Sequence, residues 1–103
     1  MNKADIDATV SEQSPGVYAL DQSHESGPFY FTYVGRSDTD VKASLHERAH
    51  KYKRFKFEYA QSAEEAYRKE CELYHDFNPP ARIAHPARPH GTKWTCPRCK
   101  LVG

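Results

Sequence analysis

Gly16-Val17-Tyr18-Ala19-Leu20-Asp21 and Phe29-Tyr30-Phe31-Thr32-Tyr33-Val34 are two short runs rich in β-branched and aromatic residues, separated by the polar stretch Gln22-Ser23-His24-Glu25-Ser26-Gly27-Pro28. Such residues suit the pleated, half-buried surface of a sheet, and a polar spacer with Gly and Pro turns the chain, so the pair reads as a β-hairpin. Gly35 ends the second strand. Further along, Ser37-Asp38-Thr39-Asp40 offers a side-chain acceptor with an acid three residues on, the sign of a helix N-terminus. Val41, Leu45, Ala49 and Tyr52 follow at spacings of four, four and three, which puts them on one face of a helix running to about Lys51. Arg54-Phe55-Lys56-Phe57-Glu58-Tyr59 then alternates charge and aromatic, the period of a half-buried strand. Ser62-Ala63-Glu64-Glu65 is a second capping box, opening a helix over 63–77 that Asn78-Pro79-Pro80 stops, because proline cannot continue it. The order strand, strand, helix, strand, helix specifies an α+β domain: a three-stranded antiparallel sheet with two main helices packed on it.

At 103 residues and 11.8 kDa the chain has the size of one domain. Apolar residues make up 38%, and mean hydropathy is -0.90. No stretch approaches the roughly 18 consecutive apolar residues of a membrane span, so no membrane partner is expected. Without the apolar core of a signal peptide near the start, the expected location is cytoplasmic. Residues 1–15 are polar, unpatterned and closed by Pro15, and are expected to be a flexible leader. Residues 16–78 are expected to form the domain proper, and 79–103 a Pro-rich basic tail packed on it.

Net charge is only +1, but it is unevenly spread. Residues 41–60 hold six basic side chains (Lys42, Arg48, Lys51, Lys53, Arg54, Lys56) against two acidic ones (Glu47, Glu58). After Phe77 come five basic residues and no acidic ones. Segregation of this kind gives a near-neutral protein either a cationic face that meets phosphates or an ordinary solvated surface.

The three cysteines, Cys71, Cys96 and Cys99, are an odd number, which points away from a disulfide framework and toward metal or redox chemistry. Cys96-Pro97-Arg98-Cys99 is a knuckle whose two thiolates can share one ion, and Cys71 and His75 lie four residues apart on one helical face. The expected site is a tetrahedral Zn2+ held by Cys71, His75, Cys96 and Cys99, with His85 and His90 as competing ligands. Four protein ligands make it structural, a staple between tail and helix.

One residue of the helix over 63–77 does not belong on its apolar stripe: Glu70 lies three or four residues from Ala66, Tyr67, Leu73 and Tyr74. A carboxylate there must snorkel to solvent, pair with a buried Arg or hold a metal ion. Gly16-Val17-Tyr18 and Tyr33-Val34-Gly35 resemble the two signatures that name the GIY-YIG nuclease family, and the order of elements is similar as well. The resemblance covers residues 16 to about 77. It implies a small α+β domain that cuts DNA phosphodiester bonds, with the Glu of Glu65-Ala66-Tyr67-Arg68-Lys69-Glu70 holding one Mg2+ or Mn2+ ion. It also implies that Tyr18 and Tyr33 position or activate the attacking water.

The resemblance breaks on the helix after the hairpin, where family members usually carry an Arg and this chain has Ser44. A hydroxyl cannot stabilise phosphate charge as a guanidinium does. Arg48, one turn on and on the same face, with His46 or His50 nearby, is the expected substitute, and Arg36 is a further cation. The expected function is a metal-dependent DNA endonuclease of GIY-YIG type, uncertain as an enzyme because of Ser44, with a protein partner as one source of specificity. The alternatives are a catalytically degenerate nucleic-acid-binding or interaction module on the same fold and a zinc-ribbon-like adaptor.

Overall fold

A computed structural model of the protein describes residues 2–22, 27–81 and 84–98. Its elements are α1 (Lys3–Thr9), β1 (Gly16–Asp21), β2 (Tyr33–Ser37), α2 (Val41–Arg48), β3 (Arg54–Tyr59) and α3 (Ala63–Phe77). β1 is central: β2 and β3 both pair with it antiparallel, in the order β2-β1-β3. Tyr18 stands opposite Gly35 on one side and Phe57 on the other, and Leu20 stands opposite Tyr33. The fold is α+β, built on the three-stranded antiparallel sheet that the alternating patterns specify.

Alternation along β1 divides the interior. Tyr18 and Leu20 enter a layer with Ile6, Val10, Val41, Leu45 and Ala49, against which Phe55, Phe57 and Tyr59 of β3 also pack. Val17 enters a second layer with Ala60 and Ala66, beneath α3. The Val41, Leu45, Ala49 stripe is buried as its spacing demands, although α2 stops at Arg48 rather than near Lys51. Asp40 caps α2 by accepting from Lys42 N and Ala43 N, while Ser37 Oγ accepts from Thr39 N and Asp40 N. Ser62 caps α3 through Glu65 N at 3.1 Å, and Asn78 ends it in the left-handed conformation (φ 44°) that Asn tolerates.

Two expectations are corrected here. The leader is not loose: α1 lies within 1–15, capped by Asn2, whose Oδ1 accepts from Asp5 N at 2.8 Å. Ile6 and Val10 are fully buried in the first layer, Asp7 meets His46 Nε2 at 2.8 Å, and Ser11 N and Glu12 N donate to the Tyr59 hydroxyl. Two apolar residues in a polar segment are too sparse a pattern to announce a helix, yet tertiary burial is enough to hold one. β2 also begins later than the aromatic run suggests, at Tyr33 instead of Phe29. The cause is Asp21, fully buried at the end of β1, whose Oδ2 accepts from Tyr30 N at 3.1 Å and Arg54 Nη2 at 2.6 Å. Arg54 also donates to the carbonyls of Gly27 and Pro28, which draws this segment out of the ladder.

Part of the basic block of 41–60 has partners within the molecule, while Lys51 and Lys53 are exposed. Lys42 pairs with Asp7, Arg54 with Asp21, and Lys56 lies 4.8 Å from the centroid of the Phe29 ring. In the tail, Pro79, Pro86 and Cys96 are fully buried. Among the described residues no helix is long and apolar enough to cross a membrane.

If α1 is integral, Ile6→Ala should cost about 2–4 kcal/mol in chemical denaturation, the usual price of emptying an aliphatic core position. A loss below about 0.5 kcal/mol, the range of an ordinary surface substitution, would mean that the segment is only loosely attached.

Candidate active site and candidate metal centre

Directly opposed residues of an antiparallel pair share a face, so Tyr18 and Tyr33 project from the same side of the sheet as diagonal neighbours. Their rings lie 6.4 Å apart and nearly parallel, at 25°. The glycines beside them have steric reasons. A Cβ on Gly35 would sit 2.5 Å from Tyr18 Oη and 2.6 Å from its Cζ, so the Tyr18 ring occupies the space a side chain would take. A Cβ on Gly16 would lie 2.6 Å from the Glu58 carbonyl oxygen and 3.1 Å from Val41 Cβ, where α2 begins.

Arg48, in the last turn of α2, joins the two phenols. Its Nε donates to Tyr18 Oη at 3.2 Å and its Nη2 to Tyr33 Oη at 3.1 Å, with the guanidinium carbon 4.4 Å from the Tyr33 ring centroid. Burial raises the Tyr18 pKa above its ordinary value, and Arg48 only partly offsets this. Tyr18 therefore stays protonated at neutral pH. Of the two histidines expected near Arg48, His46 turns to Asp7 of α1. Ser44 does not line the cleft.

Across the cleft stands Glu70, 1% exposed and paired with an arginine. Arg36 Nη1 donates to Glu70 Oε1 at 2.6 Å, its Nε to Asp38 Oδ1 at 2.8 Å and its Nη2 to the Ala87 carbonyl at 2.7 Å. Its guanidinium carbon also lies 5.1 Å from the Tyr67 ring centroid. Burial works against the Arg36 charge, but the hydrogen bonds to Asp38 and Glu70 outweigh it and raise the pKa. Tyr18, Tyr33, Arg36, Arg48 and Glu70 thus line a single cleft of about 290 Å³, together with Gly35 and Asp38. Asp38 and the Ala87 carbonyl had not been assigned a role from the sequence. Asp38, two residues from Arg36, carries a local signal, whereas a backbone carbonyl brought by the tail carries none.

The second constellation lies behind α3. Single ligand atoms of Cys71, His85 and Cys96 all fall within 4.8 Å of one another, a group that could hold a metal ion. Both cysteines are fully buried, in a cluster with Tyr67 against which Trp94 packs. Burial pushes the Cys71 thiol up to about 12. The histidine is the correction, since the i, i+4 spacing favours His75 but the tail brings in His85. The His75 ring lies 5.3 Å from that of His85, and its Nε2 is buried without a hydrogen-bond partner among the described residues. His90 is not in the group either, and Cys99 lies outside the described residues.

No protein-family model, curated protein or solved structure matches this chain.

A spectrophotometric titration should show a tyrosine ionising above the ordinary value of 10.0, and Tyr18→Phe should remove that component. Because ionisation is penalised in the folded state, the stability Tyr18 contributes is complete below pH 10 and falls as pH climbs past it. Finding every tyrosine at or below the ordinary value would refute the arrangement.

Proposed function

We propose that this protein is a divalent-metal-dependent endonuclease of GIY-YIG type that hydrolyses DNA phosphodiester bonds. The observation that carries the reading is the convergence of Tyr18, Tyr33, Arg36, Arg48 and Glu70, from two strands and two helices, on one cleft. Packing alone gives no reason to gather two phenols, two guanidiniums and a buried carboxylate there.

Glu70 would hold Mg2+ or Mn2+. A single buried carboxylate in an open cleft suits these hard cations, which keep water and substrate phosphate oxygens as their other ligands. When bound, the ion polarises the phosphate and steadies the leaving oxygen. The chain's own groups do the rest. Arg48 donates to both phenol oxygens and so fixes where their O–H groups point. Tyr18, kept protonated, orients the attacking water by hydrogen bonding rather than by removing its proton. Arg36 and Arg48 offer positive charge to the phosphoryl oxygens as they gain charge in the transition state. Arg48 fills, from one turn further along α2, the place that Ser44 leaves empty.

The tail group takes Zn2+, whose affinity for thiolate and imidazole matches Cys71, His85 and Cys96. Cys99, three residues past Cys96, is the fourth ligand by sequence spacing. A cytoplasmic location keeps these thiols reduced. With so small a domain, a protein partner contributes specificity for particular DNA sites.

A second reading has one observation in its favour: Arg36 already occupies Glu70 Oε1 at 2.6 Å, as it would in a module that binds DNA without cutting it. Nicking of supercoiled plasmid in Mg2+ or Mn2+ separates the two. The nuclease reading expects nicking by wild type that falls to background in Glu70→Ala. Salt-dependent DNA binding with no nicking in either metal would establish the binding module instead.

A further inference from the structure

The candidate metal centre and the candidate active site are joined through Arg36. Glu70 and Cys71 are consecutive residues of α3, one turned to the cleft and the other to the tail. Between His85 and Cys96 the tail passes Ala87, whose carbonyl accepts from Arg36 Nη2 at 2.7 Å, and Trp94, whose ring lies 5.9 Å from that of Tyr67. Tyr67 is in turn the ring beneath the Arg36 guanidinium, at 5.1 Å. The tail therefore touches Arg36 twice, once directly and once through Tyr67, and both contacts lie between two metal-ligating positions.

Resting on the nuclease reading, we propose that metal binding by Cys71, His85 and Cys96 positions Arg36 for phosphate binding, so that the zinc centre controls the active site. The guanidinium has three oxygen partners: Asp38, Glu70 and the Ala87 carbonyl. A phosphate entering the cleft competes for the donor now on Glu70, and Arg36 then stays in place through Asp38 and Ala87. A tail without metal cannot hold the Ala87 carbonyl in register, and Arg36 keeps one anchor in place of two. Arg36 is thus a positioning target of the tail, and the metal acts on turnover without contact with substrate.

The test compares zinc-loaded protein, protein stripped by a chelator and Cys96→Ser, with zinc content measured on each. Trp94, the one tryptophan of the chain, reports tail docking by fluorescence. The Arg36 Nη–H resonances, assigned by their loss in Arg36→Lys, report the bond from Nη2 to the Ala87 carbonyl. Zinc removal should shift Trp94 emission to the red, speed Nη–H exchange at least about tenfold and lower plasmid nicking by a similar factor, while far-UV circular dichroism is kept. In Arg36→Lys, zinc removal should add no further loss of nicking, because the group it positions is already gone. Independent, multiplying losses would overturn the proposal. So would a protein that takes up no zinc, Nη–H groups equally protected with and without it, or global unfolding on removal, since the metal would then serve the whole fold. If zinc-loaded protein does not nick DNA but the Nη–H resonances still respond to zinc, the nuclease reading falls and the control of Arg36 stands.

Discussion

The carboxylate of Glu70, sealed in the middle of α3, is the constraint that organises this half of the molecule. A buried charge is tolerated only with a hydrogen-bonded counter-charge, and Arg36 at the end of β2 supplies one. A buried guanidinium brings its own obligation, since it carries five N–H donors in a fixed fork. Asp38 in the turn before α2 and the Ala87 carbonyl of the tail meet two of them. Sheet edge, helix start and tail are thus drawn to one place by the need to neutralise a single carboxylate. Removing either partner of such a pair leaves an uncompensated buried charge and is costly, so fold and site are tied together here.

Much of this was legible in the sequence, for identifiable reasons. β1, β3 and α3 occupy the residues their patterns specify, because alternation and capping boxes are local signals that tertiary packing did not oppose. Glu70 stood out as the misfit on an apolar stripe, and a buried Arg was one of the three ways to satisfy it. The unread parts depend on contacts distant in sequence. α1 exists because Ile6 and Val10 find a core thirty and more residues away, in Val41 and Leu45. The late start of β2 follows from Asp21 and Arg54, which lie on two other strands. His85 enters the metal group through the path of the tail, whereas His75 was favoured by a helical spacing that fixes neighbours within α3 and nothing beyond it.

The place of Arg48 shows what such a site requires of its scaffold. A guanidinium works where its donors end, not where its Cα stands, and the reach of an arginine spans about one 5.4 Å helical turn. From the last turn of α2 it bonds both phenols while its plane rests against Tyr33. Those contacts limit its rotamers, so a longer reach does not bring a looser group.

Charge accounting in the cleft carries the synthesis one step further. Arg36 and Arg48 balance Asp38 and Glu70, so the cleft is formally neutral as it stands. On the nuclease reading, a divalent cation alone would leave it at +2, with Arg36 facing the ion across Glu70. A phosphodiester alone would leave it at -1 beside a buried carboxylate. Each is opposed singly, whereas together they bring the cleft to +1 and give Arg36 the phosphate in exchange for Glu70. Metal and substrate should therefore bind cooperatively, each relieving the cost of the other. On that reading the Arg36–Glu70 pair would be the closed form of a site that its substrate opens, and the strength of that pair would set how selectively the ion is held without DNA.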